Sequence, residues 1–185
     1  MIMKNFYKKI FTEINDNLNK TDYNSLEKIT KLLLLTNKKN KKVIIFGNGG
    51  SAAIASHVSV DLTKNARIRC INFNEADLLT CFSNDYGYEK VFSKSLEFYA
   101  DKGDLVIIVS ASGKSKNLLE AAKICKKRKI FLCTLTGFSK TNPLKKMGNI
   151  NLWVNSKAYN IIENVHQIWL LSIVDKIIGK TEYSA

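Results

Sequence analysis

The stretch IIFGNGGSAAIASHVSVDL, residues 44–62, decides the fold and raises the question of function. It passes from an apolar strand through a glycine-rich turn into a segment with the pattern of a helix. Glycines permit positive φ and close backbone approach, and amides at a helix start suit an anion. The turn could therefore cradle a phosphate, although a simple tight connection would look the same. It matches neither GxGxxG nor the P-loop pattern.

The rest of the chain repeats this strand-then-helix rhythm. Short apolar runs, rich in β-branched and aromatic residues, occur at 43–46, 67–73, 105–110, 130–136 and 150–154. Helical patterns fit between most of them, which predicts an α/β fold with a parallel sheet covered by helices on both faces, a three-layer αβα sandwich. A last apolar helix is expected at 159–179, ending at Gly179.

The first 36 residues form a helical extension ahead of this core. Apolar residues recur there at helical spacing, and Asn24 or Ser25 is the expected cap of the second helix. The extension could pack on the sheet or on another subunit. The run Leu32–Leu35 is wider than one apolar stripe needs, which favours the subunit contact. We expect one domain, 1–185, with an extension at 1–36 and an α/β core at 37–185.

The composition argues against a membrane protein, a secreted protein and a nucleic-acid-binding protein. The chain has 185 residues, 45% of them hydrophobic, but no apolar run of the length that a membrane helix needs, and no secretory signal is recognisable. Its four cysteines form no CxxC pair, so reduced thiols and a cytoplasmic location are expected. The net charge of +13 comes from lysines scattered beside the strands. Without a recognisable binding motif, we do not expect nucleic acid as a partner.

A second loop, SASGKS at 110–115, follows the strand at 105–109. It places Ser110, Ser112 and Ser115 just before a helix that should start near Lys116. Ordinary capping would need only one of these hydroxyls. Three hydroxyls beside helix-start amides favour an uncharged cup for a phosphate or sugar, and we expect all three to point into it.

The segments GNGGSAA, NDYGYEKVF, SASGKSKN, LTG and ENVH occur in an order and spacing that resemble the sugar isomerase (SIS) domain family, over essentially the whole chain. Within that family they most resemble the phosphoheptose isomerases. The resemblance implies a five-stranded parallel, flavodoxin-like sheet, a homotetramer and active sites shared between subunits. It also implies a phosphate held by the serine loop and a sugar lined by Asn48, Gly49 and Ser51, with Asp85 nearby.

Isomerising a phosphosugar through an enediolate requires a base and a group that stabilises the oxyanion, either an acid or a metal. His57 and Asp61 share a helix face at i,i+4, and Glu163 and His166 share another at i,i+3. Such a set could hold zinc, although two ordinary helix pairs would give the same spacing.

The chain departs from the phosphoheptose isomerase pattern at three places. Asp61 replaces a glutamate, Glu163 replaces a glutamine, and Leu171 replaces a histidine that is a catalytic group and zinc ligand in the family. His57, Asp61 and Glu163 would still offer three zinc ligands with an open fourth position. We therefore predict that Asp61 and Glu163 carry proton transfer or metal binding, with His57 as a neutral ligand and His166 near the same pocket.

Three functions remain open. The first is a phosphoheptose isomerase acting on sedoheptulose 7-phosphate. The second is a non-catalytic SIS protein that binds phosphosugars or associates with the bacterial replication initiator DnaA, since one such relative also lacks the late histidine. The third is an isomerase of another phosphosugar in surface polysaccharide synthesis.

Overall fold

A computed structural model describes residues 2–183, with side chains from residue 5 onward. Its centre is one all-parallel sheet in the order β2-β1-β3-β4-β5. The strands are β1 (Val43–Gly47), β2 (Cys70–Ile71), β3 (Leu105–Ser110), β4 (Phe131–Thr136) and β5 (Ile150–Trp153). This is the flavodoxin-like order. The predicted sheet is confirmed.

Alternation along the strands divides the core into two layers, because successive side chains of a strand point to opposite faces. On β1, Val43 and Ile45 join one buried cluster, whereas Ile44 and Phe46 join the other. The first cluster is covered by α3 (Gly50–Lys64) and α8 (Tyr159–Ile178). The second is covered by α4 (Ala76–Tyr86), α5 (Val91–Tyr99), α6 (Lys116–Arg128) and α7 (Pro143–Met147). The result is the expected αβα sandwich.

The amino-terminal helices α1 (Ile2–Asn19) and α2 (Tyr23–Lys38) pack on the α8 side of their own chain. The Trp169 indole donates to the Thr21 hydroxyl at 2.8 Å, and the Ser156 hydroxyl donates to Glu13 at 2.6 Å. The inward-facing side chains of α1 and α2 therefore pack on their own chain, which is the first of the two expected packings. An outer stripe stays exposed, so the subunit contact remains a prediction; its members are Phe6, Tyr7, Phe11, Leu34 and Leu35.

Two local expectations are corrected. The cap of α2 is Asp22, not Asn24 or Ser25, because the Asp22 carboxylate accepts hydrogen bonds from both the N–H and the hydroxyl of Ser25. Strand β2 is shorter than the apolar run at 67–73. Arg67 has φ of 56°, which is incompatible with an extended strand, and β2 pairs only with β1.

None of the helices in residues 2–183 combines the length and apolar character that a membrane span requires. Cys70, Cys81, Cys125 and Cys133 are all free thiols. Burial raises the pKa of Cys125 and of Cys133 to about 12, so these two thiols stay protonated and inert.

Candidate functional site

The two loops singled out by the sequence are neighbours at one end of the sheet. β1 and β3 pair along their lengths, Gly47 opposite Val109, so the turns that follow them start side by side. The chain leaves β1 towards β2 on one side and reaches β3 on the other, so strand order reverses between these two strands. In open α/β sheets this reversal is where ligands bind.

The first loop turns sharply at Gly49, the residue before α3. Gly49 has φ of 54° and ψ of −124°, a conformation that residues with a side chain rarely adopt. Gly50 is required for a different reason. A Cβ atom at this position would overlap the carboxyl group of Glu163, which comes from α8. The glycines therefore let a carboxylate reach the amino-terminal end of α3.

Glu163 is half-buried against this helix start. Burial raises the pKa of its carboxyl group above the ordinary value, and hydrogen bonds from the hydroxyl and N–H of Ser51 pull the pKa partly back. Ser51 does not cap α3, although serine is a common capping residue. Gly49 occupies the cap position, and Ser51, 3% exposed, is the second residue of the helix and lies beside Glu163.

In the second loop the three serines lie between the end of β3 and the start of α6, and they differ in their hydrogen bonds. The buried Ser110 hydroxyl accepts the N–H of Gly113 at 3.2 Å, and the Ser112 hydroxyl accepts the N–H of Lys114 at 3.3 Å. Ser115 occupies the cap position of α6, yet among the described residues its side chain makes no capping bond. Its hydroxyl and the first two N–H groups of α6 are therefore available to an anion.

Side-chain amides join the two loops. Asn48 Nδ2 donates to Asn117 Oδ1, and Asn117 Nδ2 donates to Asn48 Oδ1, both at 3.0 Å. The Tyr88 hydroxyl also donates to Asn48 Oδ1, at 3.1 Å, from the 3-10 turn Tyr88–Lys90. The segment after α4 is thus held over the same end of the sheet.

A family model described as the SIS domain matches residues 6–137, most of the chain. The chain belongs to the SIS domain family. A phosphoheptose isomerase of Sulfurimonas denitrificans is 35% identical over 97% of this chain and 92% of the relative. One from Campylobacter concisus is 36% identical over 83% of this chain and 84% of the relative. Within the SIS family the chain is therefore an isomerase of the phosphoheptose isomerase type.

Solved structures agree with this SIS assignment at the level of fold. The structure of a phosphoheptose isomerase from Francisella tularensis superposes with a TM-score of 0.87, at 22% identity. The superposition covers 96% of this chain and 97% of that one. The amino-terminal helices and α8 thus belong to the shared architecture.

Most of the expected substrate residues of this SIS domain meet at the switch between β1 and β3. Asn48 and Gly49 lie in the first loop, and the three serines lie in the second. Asp85, at the end of α4, is exposed and accepts a hydrogen bond from the Asn84 side chain at 2.9 Å. Its expected contact with the sugar stays a prediction.

The expected metal ligands do not gather within one chain. His57 and Asp61 do form an i,i+4 pair, Nε2 to Oδ2 at 3.3 Å. Glu163, however, lies at Gly50, and His57 is seven positions further along α3, about 10 Å of helical rise. Among residues 2–183, no three His, Cys, Asp or Glu side chains are placed to hold a metal ion. A single chain therefore does not fit the expected zinc site, and zinc binding stays a prediction.

His166 does not share the pocket of Glu163, contrary to expectation. It is fully buried, its ring lies 5.9 Å from that of Trp169, and its Nε2–H donates to the carbonyl of Thr136 at 3.2 Å. Burial lowers its pKa to about 4, so the ring is neutral at physiological pH. Leu171 packs against the same core cluster. His166 is a core residue of the SIS domain.

Three residues near the site were missed from the sequence. Asn117 and Tyr88 fall inside the quoted motifs, but only the fold shows that they reach Asn48. The buried Asn142 joins the loop after β4, accepting the N–H of Lys145 at 2.8 Å and donating to the carbonyl of Ser139 at 2.9 Å. The residues NP at 142–143 were a capping signal, since proline is favoured at the first helical position.

Proposed function

We propose that this chain isomerises sedoheptulose 7-phosphate to D-glycero-D-manno-heptose 7-phosphate through an enediolate. The observation that carries the proposal is the pairing of two ligand loops at the β1/β3 switch, joined by Asn48 and Asn117. Full-length similarity to phosphoheptose isomerases supports the choice of substrate.

The proposed phosphate site is the serine loop. The start of α3 already receives the Glu163 carboxylate, whereas at the start of α6 the Ser115 hydroxyl makes no capping bond within residues 2–183. Helix-start amides and hydroxyls bind a phosphate without needing a cationic side chain. With the phosphate there, the sugar would extend towards Asn48 and Gly49 on the neighbouring loop.

Glu163 is the proposed proton-transfer group nearest this loop. Its raised pKa brings the carboxyl group closer to the range in which a general base works at neutral pH. Ser51 lies beside the carboxyl group and favours its charged form. Such a base would take a proton from C1 and return it to C2 while the hydroxyl proton on O1 passes to O2, so the product has the same atoms as the substrate.

Asp61 lies too far along α3 to act beside Glu163 of the same chain, about 16 Å of helical rise from Gly50. On the same region of α3, His57 has a half-exposed side chain and Val60 is 58% exposed. We propose that this face is covered in a homotetramer, so that His57 and Asp61 of one chain meet Glu163 of another. Any zinc would then be held between subunits.

A second candidate is a non-catalytic phosphosugar-binding protein. It is favoured by the packing of Leu171 into the core, where the family pattern has a histidine, and by the burial of His166. Isothermal calorimetry combined with an isomerase assay separates the two. Binding of sedoheptulose 7-phosphate with turnover supports the enzyme, and binding without turnover supports the second candidate.

The free thiols fit a cytoplasmic location for either candidate.

A further inference from the structure

We propose that Asn117 and Tyr88 are positioning residues that fix the Asn48 amide with an N–H free for the ligand. Asn48 then meets an acceptor oxygen of the sugar phosphate and not a hydroxyl proton. The inference rests on the proposed function, in which Asn48 lines the sugar. It assigns a role to two side chains that contact Asn48 and act on the ligand through it.

The polarity of this network is set by a backbone donor. The N–H of Leu118 donates to the Asn117 side chain at 2.9 Å. Because a backbone N–H can only donate, the atom that it meets must be the Asn117 oxygen. The Asn117 nitrogen is then the atom facing Asn48, and it must find an acceptor there.

That requirement fixes Asn48 in turn. Its oxygen receives the Asn117 N–H at 3.0 Å, and its nitrogen donates to the Asn117 oxygen at 3.0 Å. The Tyr88 hydroxyl donates to the same Asn48 oxygen at 3.1 Å. An amide oxygen has two lone pairs, and both are now used. An amide nitrogen carries two N–H groups, and this pairing uses one of them.

Asn48 therefore offers the ligand a donor. A flipped amide would place its nitrogen against the Asn117 N–H and its oxygen against the Asn117 oxygen, so the alternative orientation is disfavoured even though the Tyr88 hydroxyl could accept from the nitrogen. A fixed N–H beside the sugar suits an oxygen that gains negative charge as an enediolate forms. Preorganisation matters because the donor does not have to reorient during the reaction.

The two residues that hold Asn48, Asn117 and Tyr88, differ in burial. Asn117 is 2% exposed and holds Asn48 from within, whereas Tyr88 is 57% exposed and closes the network from the solvent side. The Lys116–Glu89 ion pair, at 2.9 Å, ties down the same 3-10 turn. Both of its side chains are largely exposed, so it adds little free energy and the tyrosine hydroxyl carries the specific contact.

Tyr88→Phe removes only the hydroxyl and leaves the fold intact, which makes it the cleaner variant. Tyr86→Phe is the matched control, since Tyr86 lies in the same motif with its ring beside Lys94. In nitrogen-15 NMR spectra of the ligand-free protein, Tyr88→Phe should shift the Asn48 side-chain amide signals. Tyr86→Phe should leave them in place, and signals that Tyr88→Phe does not move would overturn the proposal.

Calorimetry with sedoheptulose 7-phosphate gives the second readout. Tyr88→Phe should weaken binding about three- to tenfold, the effect of one hydrogen bond, and should have no further effect in an Asn48→Ala background. Equal losses in both backgrounds would show that Tyr88 acts independently of Asn48 and would refute the proposal. If the wild type binds no sugar phosphate, the proposed function fails, while the NMR comparison still decides the orientation of Asn48.

Discussion

The Glu163 carboxyl group lies against the backbone of Gly50, at the amino-terminal end of α3. The amino-terminal end of a helix favours negative charge. At α3 that charge comes from the Glu163 carboxyl group, where the sequence alone suggested a phosphate. The two glycine- and serine-rich loops therefore have different roles. The first holds a carboxylate, and the second is the proposed site of the phosphate.

Glu163→Gln should raise the free energy of unfolding slightly at pH 7 to 8. The pKa of Glu163 is raised in the folded chain, so its stabilising contribution is complete below the ordinary pKa of 4.5 and is lost as pH rises through the folded pKa. The gain in the variant should therefore shrink towards pH 4. Because the carboxyl group is partly exposed, we expect at most about 1 kcal/mol. Urea titrations at several pH values measure it, and a gain that grows towards acid pH would contradict the assignment.

The double variant Ser112→Ala, Ser115→Ala should weaken binding of sedoheptulose 7-phosphate at least tenfold, about 1.4 kcal/mol. The Ser112 hydroxyl accepts from Lys114 and keeps its own proton to donate, and the Ser115 hydroxyl makes no capping bond among the described residues. Calorimetry measures the effect. Ser172→Ala, an exposed serine on α8, is the control that should bind normally. Unchanged affinity in the double variant would remove the phosphate from this loop.

Stability should fall as the pH drops from about 6.5 to 4, in part because of His166. Its pKa is lowered to about 4 by burial, so the unfolded chain takes up a proton in this range and the folded chain does not. The contribution is on the order of 3 kcal/mol at most. His166→Gln keeps an N–H donor for Thr136 but does not titrate, and its pH profile should be flatter. An equally steep profile would show that His166 does not titrate as its burial requires.

The exposed stripe of the amino-terminal helices should be covered by other copies of the chain. Phe6, Tyr7 and Phe11 present a contiguous apolar surface, which a monomer rarely leaves in water. Light scattering at micromolar concentration should give the mass of four chains. Phe11→Ser together with Leu35→Glu should give a smaller species, and Lys8→Ala should not. A wild-type mass of one chain would refute the tetramer.

Much of the fold was predictable because buried parallel strands leave a strong local pattern. β3 and β4 are runs of apolar residues bounded by loops, and their predicted ends agree with the structure within one residue. β2 was predicted too long because the apolar run includes Ile68, which is buried in the core but does not belong to the strand. It is 1% exposed in the α3 side of the core, outside the strand.

The site was only partly predictable, because helical spacing shows which residues share a face and not what that face meets. His57 and Asp61 pair as expected. Glu163 and His166 are three residues apart. Glu163 reaches the start of α3, whereas His166 is buried against the end of β4. That difference depends on how α8 crosses α3 and the sheet. The Asn48–Asn117 pair is likewise 69 residues apart in the chain, and only the pairing of β1 with β3 brings it together.

The most direct test of the account is turnover of sedoheptulose 7-phosphate in deuterated water, with added zinc. The wild type should produce the aldose heptose 7-phosphate with solvent deuterium at C2, the carbon that receives the proton, which is the mark of an enediolate. Asp61→Asn and Glu163→Gln should each lower the rate at least a hundredfold while keeping the fold. No turnover by a wild type that still binds the sugar phosphate in calorimetry would contradict the enzyme and leave the non-catalytic binding protein.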